Sequence, residues 1–134
     1  MLHGKCLCGA VEIEVADEFE YAGYCHCQGC RAVTGSAFSA FAGIPKDKVR
    51  ITKGSAKVSV NQRNPDNRGF FCGDCRSGLY ALVRQGQYAH VAMGVLRDDP
   101  KIRPQFHIMV EFKAPWHQIA DALPQFAGFP PPRR

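Results

Sequence analysis

Seven cysteines fall into three close groups: Cys6-Leu7-Cys8, Cys25-His26-Cys27-Gln28-Gly29-Cys30 and Cys72-Gly73-Asp74-Cys75. Neighbouring thiolates repel unless a cation lies between them, so thiols this dense constrain the fold through metal before any apolar pattern does. An odd number in C-x-C and C-x-x-C spacing points to metal ligands in a reducing compartment rather than to disulfides. Met1-Leu2-His3-Gly4-Lys5 lacks the apolar region of a signal peptide, and no apolar run approaches the roughly 20 residues of a membrane span. The expectation is a soluble, cytoplasmic chain with no membrane partner.

The spacing suggests how the thiols combine. Cys72 and Cys75 place two thiolates on a tight turn with Gly73 inside it, and Cys6 and Cys8 do the same beside Gly9. Each pair lacks two ligands, and joining them closes a four-thiolate site that ties the start of the chain to its middle. Cys25, Cys27 and Cys30 are then left by themselves. A structural zinc is closed by four protein ligands, whereas a catalytic zinc keeps one position open for water or substrate.

Other readings of the same residues stay open. Cys72 and Cys75 also match a redox pair, although that motif opens a helix after a strand and both flanks here read as strands. A thiol of the central group is a candidate nucleophile with His26 or His107 as its base. That group is also a candidate second structural site, closed by His26 or another histidine. His26 sits between two ligands in a tight turn, so its side chain is expected to point away from any shared metal.

At 134 residues the chain is expected to form one domain, residues 1–128, followed by a mobile Pro/Arg tail at 129–134. Short alternating segments between turn residues make the fold class mostly β: a small antiparallel domain with two zinc-binding sites and little helix. Val11, Ile13 and Val15 alternate with Glu12 and Glu14. Further strands are expected over residues 21–24, 37–44, 49–52, 57–62, 68–72, 79–84, 88–93 and 106–112. In the last of these, Phe106, Ile108, Val110 and Phe112 alternate with His107, Met109 and Glu111, which puts His107 on the polar face. A short helical turn follows Cys30 and stops at Gly35. Residues 116–123 have the pattern of a second short helix, with Trp116 and Phe126 as apolar anchors.

The net charge of +5 is uneven, with acidic residues over 10–20 and Lys46, Lys48, Arg50, Lys53, Lys57, Arg63, Arg68 and Arg76 through the middle. Such a bias attracts an anionic small molecule as readily as a nucleic acid. Aromatic residues are not interleaved with the basic ones in a base-stacking pattern, which argues against nucleic acid as the partner. A zinc-stabilised, non-catalytic binding module is the alternative to an enzyme.

The sequence resembles the glutathione-dependent formaldehyde-activating enzyme family, which also includes centromere protein V. The resemblance rests on Gly4-Lys5-Cys6-Leu7-Cys8-Gly9-Ala10-Val11, Cys25-His26-Cys27-Gln28-Gly29-Cys30-Arg31, Thr34-Gly35-Ser36-Ala37-Phe38, Phe71-Cys72-Gly73-Asp74-Cys75 and Pro115-Trp116. It implies a β-tent fold with two Zn2+ per chain, a structural zinc on Cys6, Cys8, Cys72 and Cys75 and a catalytic-type zinc on Cys25, Cys27 and Cys30. It also implies a carbon–sulfur lyase-type reaction, the addition of glutathione to formaldehyde to give S-(hydroxymethyl)glutathione. A zinc already carrying three thiolates is a weak Lewis acid but leaves a bound thiolate nucleophilic, so thiol activation suits the open set better than water activation. Glutathione brings two carboxylates, for which Arg31 is the candidate contact, and His107 is the candidate proton carrier or polar contact. A zinc hydrolase or lyase of another thioether or thioester, with Glu20 as its base, is the nearer rival.

Overall fold

This computed structural model describes residues 1–130, and their regular structure is ten strands, one short α-helix and four 3-10 turns. Strands β1 (Leu2–Lys5), β2 (Glu12–Val15) and β5 (Val49–Lys53) form an antiparallel sheet in the order β1-β2-β5. The alternation read in β2 holds: Ile13 and Val15 are buried, while Glu14 faces outward and meets its cross-strand neighbour Arg50 at 2.8 Å.

A seven-stranded sheet takes the rest of the strands. Its members are β3 (Tyr21–Cys25), β4 (Ser39–Pro45), β6 (Val58–Asn64), β7 (Asn67–Cys72), β8 (Gly78–Val83), β9 (Tyr88–Ala92) and β10 (His107–Ile108), ordered β10-β3-β4-β9-β8-β7-β6. Every neighbouring pair is antiparallel except β10 with β3. Ile44, Leu79, Ala89 and Val91 pack against Leu2, Val11, Ile13 and Val15 to make the main core between the two sheets. A second cluster of Cys25, Phe41 and Ile108, with Tyr21, Phe106 and Phe126 against it, lies on the other face of the large sheet. Covered on both sides, β4 is buried from Phe41 through Ile44 and shows no alternation. The helix α1 (Gln28–Thr34) begins two residues before Cys30, because Cys27 caps it, and Gly35 at φ 61° stops it.

The C-terminal third departs from expectation. Of residues 106–112 only His107 and Ile108 are strand; Met109 turns the chain at φ 57°, Val110–Phe112 is a 3-10 turn, and Phe112 is 40% exposed. The backbone amides of Met109 and Val110 turn instead to the carbonyls of Gly128 and Phe126, at 2.9 and 3.0 Å. His107 is therefore buried, not on a polar face. No helix forms over 116–123, where Asp121 is drawn to His107, and Trp116 is 69% exposed, so only Phe126 of the two expected anchors packs inward. The mobile tail expected at 129–134 lies, for residues 131–134, outside the described residues.

Candidate metal centres

Cys6 and Cys8 occupy the turn between β1 and β2, while Cys72 ends β7 and Cys75 lies in the turn from β7 to β8. Their four Sγ atoms lie within 4.8 Å of one another. Cys8 Sγ is 3.8 Å from both Cys6 Sγ and Cys72 Sγ, and a tetrahedron with metal–sulfur bonds of about 2.3 Å has edges of about 3.8 Å. Backbone amides support the sulfurs: Val11 donates to Cys6 Sγ at 3.2 Å and Cys75 to Cys72 Sγ at 3.5 Å. Ser77, unremarkable in sequence, joins the two turns, its hydroxyl accepting from the Leu7 amide at 2.9 Å and lying 3.2 Å from Cys75 Sγ. Donors from Ser77 hold the Cys75 thiol down to about 5. At Cys8 the Ala10 amide favours thiolate, yet burial and the neighbouring sulfurs outweigh it and push the thiol up to about 11.

The second set, Cys25, Cys27 and Cys30, also has its Sγ atoms within 4.8 Å of one another, and among the described residues no histidine or carboxylate joins it. Cys25 ends β3; Cys27 is the N-cap of α1, with its sulfur accepting from the Cys30 amide at 3.2 Å. The sulfurs of Cys27 and Cys30, and then burial, drive the Cys25 thiol far above its usual range. Hydrogen bonds from Cys25 and Cys27, with Ser39 and Arg63 beyond them, hold Cys30 as thiolate. Thiolates this close repel one another unless a cation joins them. Both clusters could hold a metal ion, and all-thiolate donors suit a soft or borderline one.

His26 does point away from its neighbours' sulfurs. Its amide donates to Ile108 O at 3.1 Å, and its fully buried ring reaches His107, with Nε2 2.8 Å from His107 Nδ1. His107 Nε2 is 3.0 Å from Asp121. Burial above all, with the cationic Lys113 nearby, lowers His26 to about 4. Arg31 lies on α1, donates to Phe112 O at 3.2 Å, and lines a shallow depression with Gln28, Ser36 and Trp116. Glu20 accepts from the Tyr88 hydroxyl at 2.7 Å at the start of β3, the end away from the thiols.

The face carrying the three thiols is aromatic. Phe41 stacks on His90 at 4.6 Å, His90 Nε2 is 2.8 Å from the Tyr21 hydroxyl, and Arg84 lies 4.8 Å from the Tyr88 ring and 5.2 Å from that of Tyr21. Sequence reading missed this His90–Tyr21 pair and also Arg63, whose Nη1 donates to Cys30 Sγ at 3.8 Å. Strand alternation in β3 and β9 was the available signal for the first; nothing local marks the second.

Fold and site together define a small, mostly β protein with one closed four-thiol cluster and one open three-thiol cluster beside an aromatic face. The chain belongs to the glutathione-dependent formaldehyde-activating enzyme family, whose model matches residues 1–112. A Halomonas elongata protein provisionally named as such an enzyme is 28% identical over 97% of this chain and 89% of its own length. A Penicillium rubens protein of the same provisional name is 26% identical over 93% of this chain, which spans only 58% of it. The crystal structure of a Rhodobacter sphaeroides protein superposes with a TM-score of 0.61 at 25% identity, covering 76% of this chain and 91% of that one.

Proposed function

We propose that this chain joins a thiol, glutathione or a close relative, to a small carbonyl such as formaldehyde, and catalyses the reverse cleavage as a carbon–sulfur lyase. The observation that carries the reading is the division of seven cysteines into a closed four and an open three. Cys6, Cys8, Cys72 and Cys75 would hold a structural zinc, and Cys25, Cys27 and Cys30, which pack with Phe41 and Tyr21, would hold a second one with one ligand fewer. Zinc bound to three thiolates lowers the pKa of an incoming thiol and leaves its thiolate nucleophilic.

The chain's own residues then hold and orient. Cys27 fixes the start of α1, and so the place of Cys30, through its cap hydrogen bond. His107 anchors His26, which keeps Cys25 and Cys27 turned to the other side. Arg31 offers its free N–H groups to a substrate carboxylate at the rim of α1. In the addition, a carbon–sulfur bond forms, the carbonyl π pair moves to oxygen, and the proton given up by the thiol returns to that oxygen. The unit that does this is the domain 1–128, whose last backbone pairing is Met109 with Gly128. Free thiols in this number suit a reducing compartment such as the cytoplasm.

Zinc analysis, glutathione calorimetry and NMR exchange of 13C-formaldehyde with glutathione test the reading. The expected result is about two zincs per chain, about one in a folded Cys27→Ser variant, and glutathione binding and accelerated exchange that only the wild type shows. One zinc in the wild type, or no glutathione binding at millimolar concentration, would overturn it.

A further inference from the structure

Arg63 belongs to β6, the far edge of the large sheet, whereas the three thiols begin at the last residue of β3. Between β3 and β6 lie five strand spacings, about 24 Å on a flat sheet. Yet Arg63 Nη1 is 3.8 Å from Cys30 Sγ, and a Cβ placed on Gly29 would lie 3.0 Å from the same nitrogen. The face between them is therefore concave, roofed at one side by α1 and at the other by the β6–β7 hairpin.

That reach is built. The register of β6 against β7 shifts between Gln62, opposite Arg68, and Asn64, opposite Asn67, which leaves Arg63 as the extra residue of a bulge. Bulges re-aim a side chain and sharpen the local twist. The hairpin tip is also pinned: Asp66 receives the Gln85 amide at 2.6 Å and its own amide donates to Asn64 Oδ1 at 2.8 Å. Glycine at position 29 leaves the guanidinium its space.

One guanidinium nitrogen is spent on Cys30, and among the described residues no carboxylate pairs with the others. The second guanidinium on this face, Arg84, lies over the Tyr21 and Tyr88 rings instead. A planar fork with N–H groups to spare, exposed and beside Cys30 of the thiol cluster, matches a carboxylate.

We propose that Arg63 is a specificity-determining residue that binds a carboxylate of the substrate, so that the thiol taken by the Cys25, Cys27, Cys30 cluster is one with a carboxylate a few atoms from its sulfur. This rests on the thiol-activating reading above and names its substrate class.

The test uses the zinc-loaded full chain and a matched pair, 3-mercaptopropionate and 3-mercapto-1-propanol, with affinities measured by calorimetry in wild type, Arg63→Gln and Arg63→Lys proteins of equal zinc content. The wild type is expected to bind the acid about tenfold more tightly than the alcohol, Arg63→Gln to lose the preference, and Arg63→Lys to keep part of it. If the wild type binds both equally, or Arg63→Gln weakens both by the same factor, Arg63 only balances the charge of Cys30, and the proposal fails while the thiol reading stands. If neither thiol binds the wild type, both fall together.

Discussion

His26 Nε2 and His107 Nδ1 lie 2.8 Å apart in a fully buried pair, 81 positions apart in sequence. Asp121 at 3.0 Å fixes the tautomers, because its carboxylate accepts a hydrogen bond from the Nε2–H of His107 and leaves Nδ1 as acceptor for His26. His26 Nδ1 then carries only a lone pair and has no partner. The pair closes the side of the β3 end opposite to the one that presents Cys25 and Cys27.

Replacing His107 with Ala leaves the His26 Nε2 proton buried without an acceptor. The expected loss is about 1–3 kcal/mol of stability, read as a lower midpoint in urea unfolding. Asp121→Asn should cost less, since Asp121 is 44% exposed and can still accept through its amide oxygen. An Asp121→Asn loss equal to that of His107→Ala would show that the carboxylate, not the His–His bond, carries the network.

How far this was legible in sequence depends on the range of the signal. The sulfur sets were, because close cysteines with glycines beside them are a local pattern, and so was β2, whose one wet face keeps the alternation of Ile13 and Val15. The 106–112 segment was misread because its alternation is accidental: the backbone leaves the sheet after Ile108 to pair with residues near 126–128, a long-range choice. His107 was put on a polar face for the same reason, and is buried instead. Arg63 was one of many basic residues until a bulge and sheet curvature brought it to Cys30.

Gly43 lies directly across from Tyr21 in the β3–β4 ladder, and a Cβ there would collide with the tyrosine ring. Gly43→Ala should therefore push Tyr21 off its hydrogen bond to His90 and destabilise the chain by about 1–3 kcal/mol. Urea unfolding measures the loss, and the His90 ring resonances in NMR should shift with it. An unshifted His90 would mean that the strands separate instead of the ring moving.

The two thiol sets should differ under metal removal. Cys8 and Cys72 are 64 positions apart, and their set ties the β1–β2 turn to the β7–β8 turn across the main core. Cys72→Ser, or exhaustive chelation, is expected to abolish cooperative thermal unfolding, whereas Cys27→Ser should lose its own metal and keep the transition. Circular dichroism during a chelator titration checks this, and the outcome to look for is two separate steps of metal loss with only one of them accompanied by unfolding.

Acidification should weaken the fold through His90 in a defined window. Burial, with the Arg84 charge added, lowers its pKa from 6.5 to about 4. Between those values the unfolded chain takes up a proton that the folded chain refuses, so stability is full above pH 6.5, falls as the pH drops, and stops falling through this group below about 4. The slope from one such histidine is at most about 1.4 kcal/mol per pH unit. Thiolate protonation adds to acid loss in any variant, so the readout is a difference: His90→Gln should show a shallower decline of the urea midpoint between pH 6.5 and 5 than the wild type. Parallel declines in the two proteins would mean that His90 is protonated in the folded state, and that its bond to the Tyr21 hydroxyl has Nε2 as the donor.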